Sequence, residues 1–171
     1  MTAKGEPTQV LKEEHDKVLL KLLKMEELLG RLDEKEAIAL ELRELGAFFE
    51  KDFWLHFDKE DFALFQELGH YIPRNAGPLQ MMVIEHEDLR NNNEIFQLAL
   101  SDYLGNEDSE LTRETICKAG MDFISLLRSH IDNENGMMFT LADVHLTQKQ
   151  EDSVMVIFGQ IEAGAKKSAQ D

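Results

Sequence analysis

Residues 36–60 read EAIALELRELGAFFEKDFWLHFDKE, and the order of apolar and polar positions in this stretch decides the fold. Ile38, Leu42, Leu45, Phe49 and Phe53 recur at three- and four-residue steps, which places their side chains along one face of an α-helix. The seam continues through His56 and Glu60 toward about Leu68, and Gly69 ends it. Asp33 followed by Glu36 resembles a capping box, so the spacing predicts a helix over 34–68.

The same period repeats on both sides of this segment. From Thr8, read as an N-cap, Leu11, Val18, Leu22, Met25 and Leu29 define a helix over 8–30 that stops at Gly30. Gly77-Pro78 opens a third helix over 78–104, with Leu79, Met82, Leu89, Phe96 and Leu100 on its seam. Asp108 or Ser109 caps a fourth over 109–142, whose inner face carries Ile116, Gly120, Phe123, Leu127, Met137 and Leu141. Gly136 weakens it locally. Thr147 and Gln150 start a short packing helix over 147–163, followed by a polar tail.

None of the three prolines interrupts a periodic segment, and no stretch alternates as a strand would. The expected architecture is all-α: an antiparallel up-down-up-down four-helix bundle with a short C-terminal fifth helix, built as one domain over 1–171.

Composition narrows the function classes. The net charge of −16 would repel phosphate backbones and anionic lipid headgroups, so neither nucleic acid nor membrane is expected as a partner. A single cysteine, Cys117, can form neither an internal disulfide nor a thiolate cluster. With no apolar stretch resembling a signal peptide or membrane span, a cytoplasmic location is the expectation.

The seams are broken where the histidines fall. His15 lies between Leu11 and Val18, and His86 between Met82 and Leu89. His56 and Glu60 sit one turn apart on helix two, as do His130 and Glu134 on helix four. Each long helix thus sends one histidine inward, where a leucine would serve stability better.

Taken singly, a seam histidine is ordinarily a hydrogen-bonded core residue; six polar groups on one set of seams are another matter. An unsatisfied buried polar group costs about 1–3 kcal/mol, and an uncompensated carboxylate costs more. Two divalent cations would compensate all six, with histidines as terminal ligands and both glutamates bridging. Residues four apart are separated by about 6 Å along a helix, which spaces a terminal ligand and a bridge correctly. A donor set of imidazoles and carboxylates without thiolates suits iron, with manganese as the other fitting metal. The Glu-x-x-His pairs of ferritin-like proteins occur only once, at Glu67 and His70 beside a helix-ending glycine.

At these residues the chain resembles the hemerythrin-like, or HHE cation-binding, family. The likeness runs from about His15 through the last helix. It is carried by LKEEHDKV (11–18), HFDKE (56–60), GPLQMMVIEHEDLR (77–90) and HIDNE (130–134). The resemblance implies an oxo- or hydroxo-bridged pair of iron ions held by His15, His56, Glu60, His86, His130 and Glu134.

Two departures separate the chain from oxygen-carrying hemerythrins. Met82 stands where those proteins place a second third-helix histidine, and Glu134 follows His130 by four residues where they use an aspartate five residues on. The four-histidine, two-glutamate set is similar to that of bacterial iron-centre repair proteins. The expected function is a non-haem di-iron protein binding O2, NO or peroxide for sensing, storage or redox detoxification, with iron donation to damaged centres and turnover of peroxide or NO as the alternatives. A redox partner protein is expected with it.

Around the site, Phe49, Phe53, Trp54, Phe57, Phe96, Phe123 and Phe139 are candidates for apolar surroundings, with Met82, Met137 and Met138. Tyr71 and Tyr103, near helix ends, are expected at the surface, and His70 and His145 in solvent. Cys117 reads as a small hydrophobe. Of Glu85, Glu87 and Asp88, one is a candidate to support a ligand histidine, the others facing water.

Overall fold

The computed structural model describes residues 1–169, and every regular element among them is helical. Gln170 and Asp171, the last two residues of the predicted unit, lie outside the described residues. Among the described residues no helix is long and apolar enough to cross a membrane.

Helix α1 spans Glu6–Leu29. It begins two residues before Thr8, with Gly5 at φ 74° as its cap. That left-handed backbone is accessible to glycine without a Cβ clash. Thr8 is therefore inside the helix, and its hydroxyl donates to Gly5 O and contacts Asp143 Oδ1. The Asp33–Glu36 capping box does not form either: Leu32–Glu34 is a 3-10 turn, and the next helix starts at Lys35 without a side-chain cap.

Helix α2, 35–68, is assembled from Lys35–Ala47, Trp54–Lys59 and Phe65–Leu68, joined by π turns at Phe48–Asp52 and Glu60–Leu64. Helix α3 is Gly77–Gly105, opened by Pro78 as the sequence indicates. Helix α4, 110–145, runs through Glu110–Asn133, a π turn at Glu134–Met138 that contains Gly136, and Phe139–His145. Ser109 caps it in a reciprocal capping box with Thr112. The last helix, α5, covers Gln148–Ser168 behind the Thr147–Gln150 capping box. It is longer than the short helix expected, because its polar end still consists of good helix formers.

Helix α1 packs against α2 and α4, α3 packs against the same two, and α5 lies over α1 and α2. Gly120 lets α4 approach α1 closely: a Cβ there would stand 2.6 Å from Leu29 Cδ1.

The apolar interior falls into two clusters. One holds Val18, Leu42, Phe49, Phe53, Phe57, Leu89, Phe96, Phe123 and Leu127; the other holds Leu11, Leu64, Leu79, Met82, Met138, Phe139, Val154 and Phe158. Each long helix crosses from one cluster to the other at a buried polar residue: His15 on α1, Glu60 on α2, His86 on α3 and Glu134 on α4.

Candidate metal centre

The residues between the two clusters are His15, His56, Glu60, His86, His130 and Glu134, all six buried and none more than 5% exposed. Four helices deliver them to one layer. His56 and Glu60 come from adjacent turns of α2, and His130 and Glu134 from adjacent turns of α4, so each pair points along one inner face.

Both glutamates begin a π turn. Phe65 N–H donates to Glu60 O and Phe139 N–H to Glu134 O, five residues back instead of four. The wider circuit brings consecutive side chains closer to one direction. The glutamate can then face the centre while the next residue, Asp61 or Asn135, reaches a neighbouring helix.

The six side chains form two overlapping groups. One is His15, His56, Glu60 and Glu134; the other is Glu60, His86, His130 and Glu134. Within each group the donor atoms lie within 4.8 Å of one another, and both groups use both glutamates. His15 Nε2 is 3.1 Å from Glu134 Oε2, His56 Nε2 3.0 Å from Glu60 Oε1, and His130 Nε2 3.1 Å from Glu134 Oε1. His86 Nε2 stands 3.4 Å from Glu60 Oε2 and 3.5 Å from Glu134 Oε1.

These distances are short, yet the four glutamate oxygens and Nε2 of His86 and His130 make no aligned hydrogen bond. Misaligned lone pairs aimed at a common point are what co-ligands of an ion present. The residues therefore fit a cation pair: six donors, no thiolate, and buried carboxylate charge without an aligned partner.

Each ring is held from outside through Nδ1. His56 Nδ1 donates to Glu14 Oε2 (2.7 Å), His86 Nδ1 to Asp61 Oδ1 (2.9 Å), His130 Nδ1 to Glu85 Oε2 (2.7 Å) and His15 Nδ1 to Asn135 Oδ1 (2.9 Å). These acceptors fix the proton on Nδ1, and Nε2 faces the centre. His15 and His56 face each other, with their Nε2 atoms 2.8 Å apart.

Aromatic rings close the layer. Phe57 stacks on His86 with centroids 4.0 Å apart, Phe65 lies on the same ring, and Phe139 stacks on His15. Of the aromatics singled out in the sequence, Phe57 and Phe139 do touch the site. Phe49, Phe53, Phe96 and Phe123 pack in one apolar cluster and Trp54 lies partly buried against it. Met82 and Met138 are buried in the other cluster, with Met137 packed against it.

Of the remaining residues singled out in the sequence, Tyr103 and His145 differ from expectation, and Tyr71, His70, Cys117 and Glu85 follow it. Tyr103 is fully buried and donates its hydroxyl to Leu32 O at 2.8 Å, because the Leu32–Glu34 turn covers that helix end. Tyr71 is exposed, and its ring stacks on a half-buried His145, while His70 is in solvent. Cys117 is half-buried against the core. Glu85 is the acidic residue that supports a ligand histidine, and it does so at His130 across the helix interface.

The sequence reading missed Glu14, Asp61, Asn135, Phe65 and Lys59. Lys59 is almost fully buried beside Glu14, and its Nζ also meets Glu162 Oε1 of α5 at 2.7 Å.

Electrostatically, burial opposes charge on the histidines, but the carboxylates outweigh it. Glu60 and Glu14 push His56 up to about 10; Asp61, Glu134 and Glu60 push His86 up to about 11; Glu134 and Glu85 push His130 up to about 9. Burial likewise opposes ionisation of Glu134, yet His130, His15 and His86 hold it well below its ordinary 4.5. Without a cation, imidazolium protons take over the balancing charge.

Two cavities reach the histidine rings. One of about 260 Å³ is lined by Glu14, Phe53, His56, Lys59 and Glu162, and one of about 280 Å³ by Asp61, Phe65, Val83, His86 and Arg90. A larger cavity of about 660 Å³, beside Trp54, Arg90 and Leu98, touches none of the six residues.

An all-helical protein with a buried layer of histidines and glutamates, able to hold cations between its helices, is the class that fold and geometry define. The family model of the hemerythrin HHE cation-binding domain matches residues 6–142, and the chain belongs to that family. No curated protein and no solved structure matches the chain significantly. The family match ends before α5, which begins at Gln148.

Proposed function

We propose that the chain is a non-haem di-iron protein that binds a small ligand, O2, NO or peroxide, for sensing, storage or redox detoxification. The carrying observation is the pair of four-donor groups that share Glu60 and Glu134, whose four oxygens make no aligned hydrogen bond. His15 and His56 would be terminal ligands of one iron, His86 and His130 of the other, and both glutamates would bridge. Manganese fits the same donors.

The reading includes an antiparallel up-down-up-down order and a single domain. Its support is that successive long helices cross the two apolar clusters in alternating directions: Leu11 to Val18 on α1, Phe57 to Leu64 on α2, Met82 to Leu89 on α3 and Leu127 to Met138 on α4.

When bound, an iron pair supplies electrons and an open coordination position for the small ligand. The chain's own residues supply placement. Glu14, Asp61, Glu85 and Asn135 orient the rings through Nδ1 and point Nε2 toward the centre. Phe57, Phe65 and Phe139 exclude bulk water. The cavities beside His56 and His86 suit a diatomic or peroxide rather than a large substrate.

Elemental analysis with an ultraviolet–visible spectrum of aerobically purified protein tests the reading. About two irons per chain with ferric charge-transfer bands are expected, and those bands should change reversibly when the reduced protein meets O2 or NO. A chain that takes up no iron on anaerobic reconstitution overturns it.

A further inference from the structure

The four Nδ1 contacts form a closed circuit. Glu14 of α1 accepts from His56 of α2, Asp61 of α2 from His86 of α3, Glu85 of α3 from His130 of α4, and Asn135 of α4 from His15 of α1. Every acceptor is the sequence neighbour of a residue in the buried layer: His15, Glu60, His86 and Glu134 respectively. Each helix therefore contributes both to the centre and to the next helix's histidine.

Three acceptors are carboxylates and one is a neutral amide. We propose that this single break makes the two cation positions unequal, with the His15–His56 position the weaker and Asn135 the residue that sets the difference. The inference rests on the ligand assignment above.

An imidazole whose Nδ1–H faces a carboxylate gains electron density at Nε2 and binds a cation more strongly than one facing an amide. The His86–His130 position has two such carboxylates, Asp61 and Glu85. The His15–His56 position has one, and that one is shared: Glu14 also meets the Lys59 ammonium, which is nearly fully buried. Lys59 therefore offsets the single anion that supports this position.

The opposing cation at the other position is weaker in place and distance. Arg90 lies 3.5 Å from Asp61 with its side chain 45% exposed, and besides His130 Glu85 accepts from the neutral Asn133 amide at 3.0 Å. The supporting carboxylates themselves differ little in exposure: 25% for Glu14, 22% for Asp61 and 20% for Glu85. Charge, not solvent access, distinguishes the two positions.

The test is an anaerobic titration of the full, metal-stripped chain with Co(II), followed by visible absorption and calorimetry. Wild type should bind two ions in steps separated by about tenfold or more, the scale at which such supporting contacts act. The first equivalent should shift the ring signals of His86 and His130 in the nuclear magnetic resonance spectrum, and the second those of His15 and His56. Asn135→Asp should narrow the separation by tightening the second step alone. Glu85→Gln should narrow it from the other side by loosening the first, and it keeps the test available if Asn135→Asp fails to fold. Two ions bound with one constant in wild type, or a first equivalent at His15 and His56, overturn the inference while leaving the ligand assignment intact. No binding at all overturns both.

Discussion

Lys59 Nζ and Glu162 Oε1 meet at 2.7 Å, so a residue of the last helix bears on the carboxylate that holds His56. Lys59 lies almost fully buried between Glu14 and Glu162, while Glu162 is half-exposed. Replacing Lys59 with methionine should remove about 1–3 kcal/mol of stability in denaturant unfolding, since it strands Glu14 beside an apolar side chain. Glu162→Gln should change it by less than about 1 kcal/mol, because water screens that side of the contact. Equal effects from both variants would contradict this account.

Glu60 and Glu134 each belong to both donor groups. Removing either by substitution with alanine should therefore lower bound iron from about two per chain to below about one, and lower the melting temperature of the loaded protein with it. Metal analysis beside a thermal melt reads both quantities. Unchanged iron in both variants would remove the glutamates from the ligand set.

Acidity gives a separate signature. His56, His86 and His130 sit at about 10, 11 and 9 in the metal-free protein, above their ordinary 6.5. Groups raised on folding contribute fully below 6.5 and lose that contribution as pH climbs through 9 to 11. Glu134, held below 4.5, acts with the opposite sign and loses its contribution in acid. Metal-free protein should accordingly be most stable between about 4.5 and 6.5, lose stability progressively above 6.5 and have lost the histidine contribution by about pH 11. Cation binding near neutral pH should expel about two to three protons, read by calorimetry in buffers of different ionisation enthalpy.

Tyr103 offers a control far from the histidines in function. Its buried hydroxyl donates to Leu32 O at 2.8 Å, so Tyr103→Phe leaves that carbonyl without its donor. A loss of about 1–2 kcal/mol with unaltered metal content is the expected result. A drop in metal content would tie this helix end to the centre.

The helical period exposed the six inward residues because each interrupts a seam of leucines and phenylalanines, and a polar group at an apolar phase is conspicuous. Glu14, Asp61 and Asn135 escaped the same test because they lie off the seam, where acidic and amide residues are ordinary. Their signal was adjacency: an acceptor stands beside His15, Glu60, His86 and Glu134 alike. The π turns were invisible because periodicity assumes a regular helix, and Gly136 marked only one of the two at the site. Tyr103 was misplaced because sequence position near a helix end says nothing of the 3-10 turn folded over it. The length of α5 was underestimated since its final residues lack apolar anchors, although alanine and lysine continue a helix readily.

The charged layer also partitions the molecule mechanically. Greasy contact above His15, His56, His86 and His130 does not run uninterrupted into that below, so the stripped chain has a waist across its middle. Its two ends are then free to unravel in separate stages. A pair of cations fastened across the waist would join them, turning stepwise melting into one cooperative event.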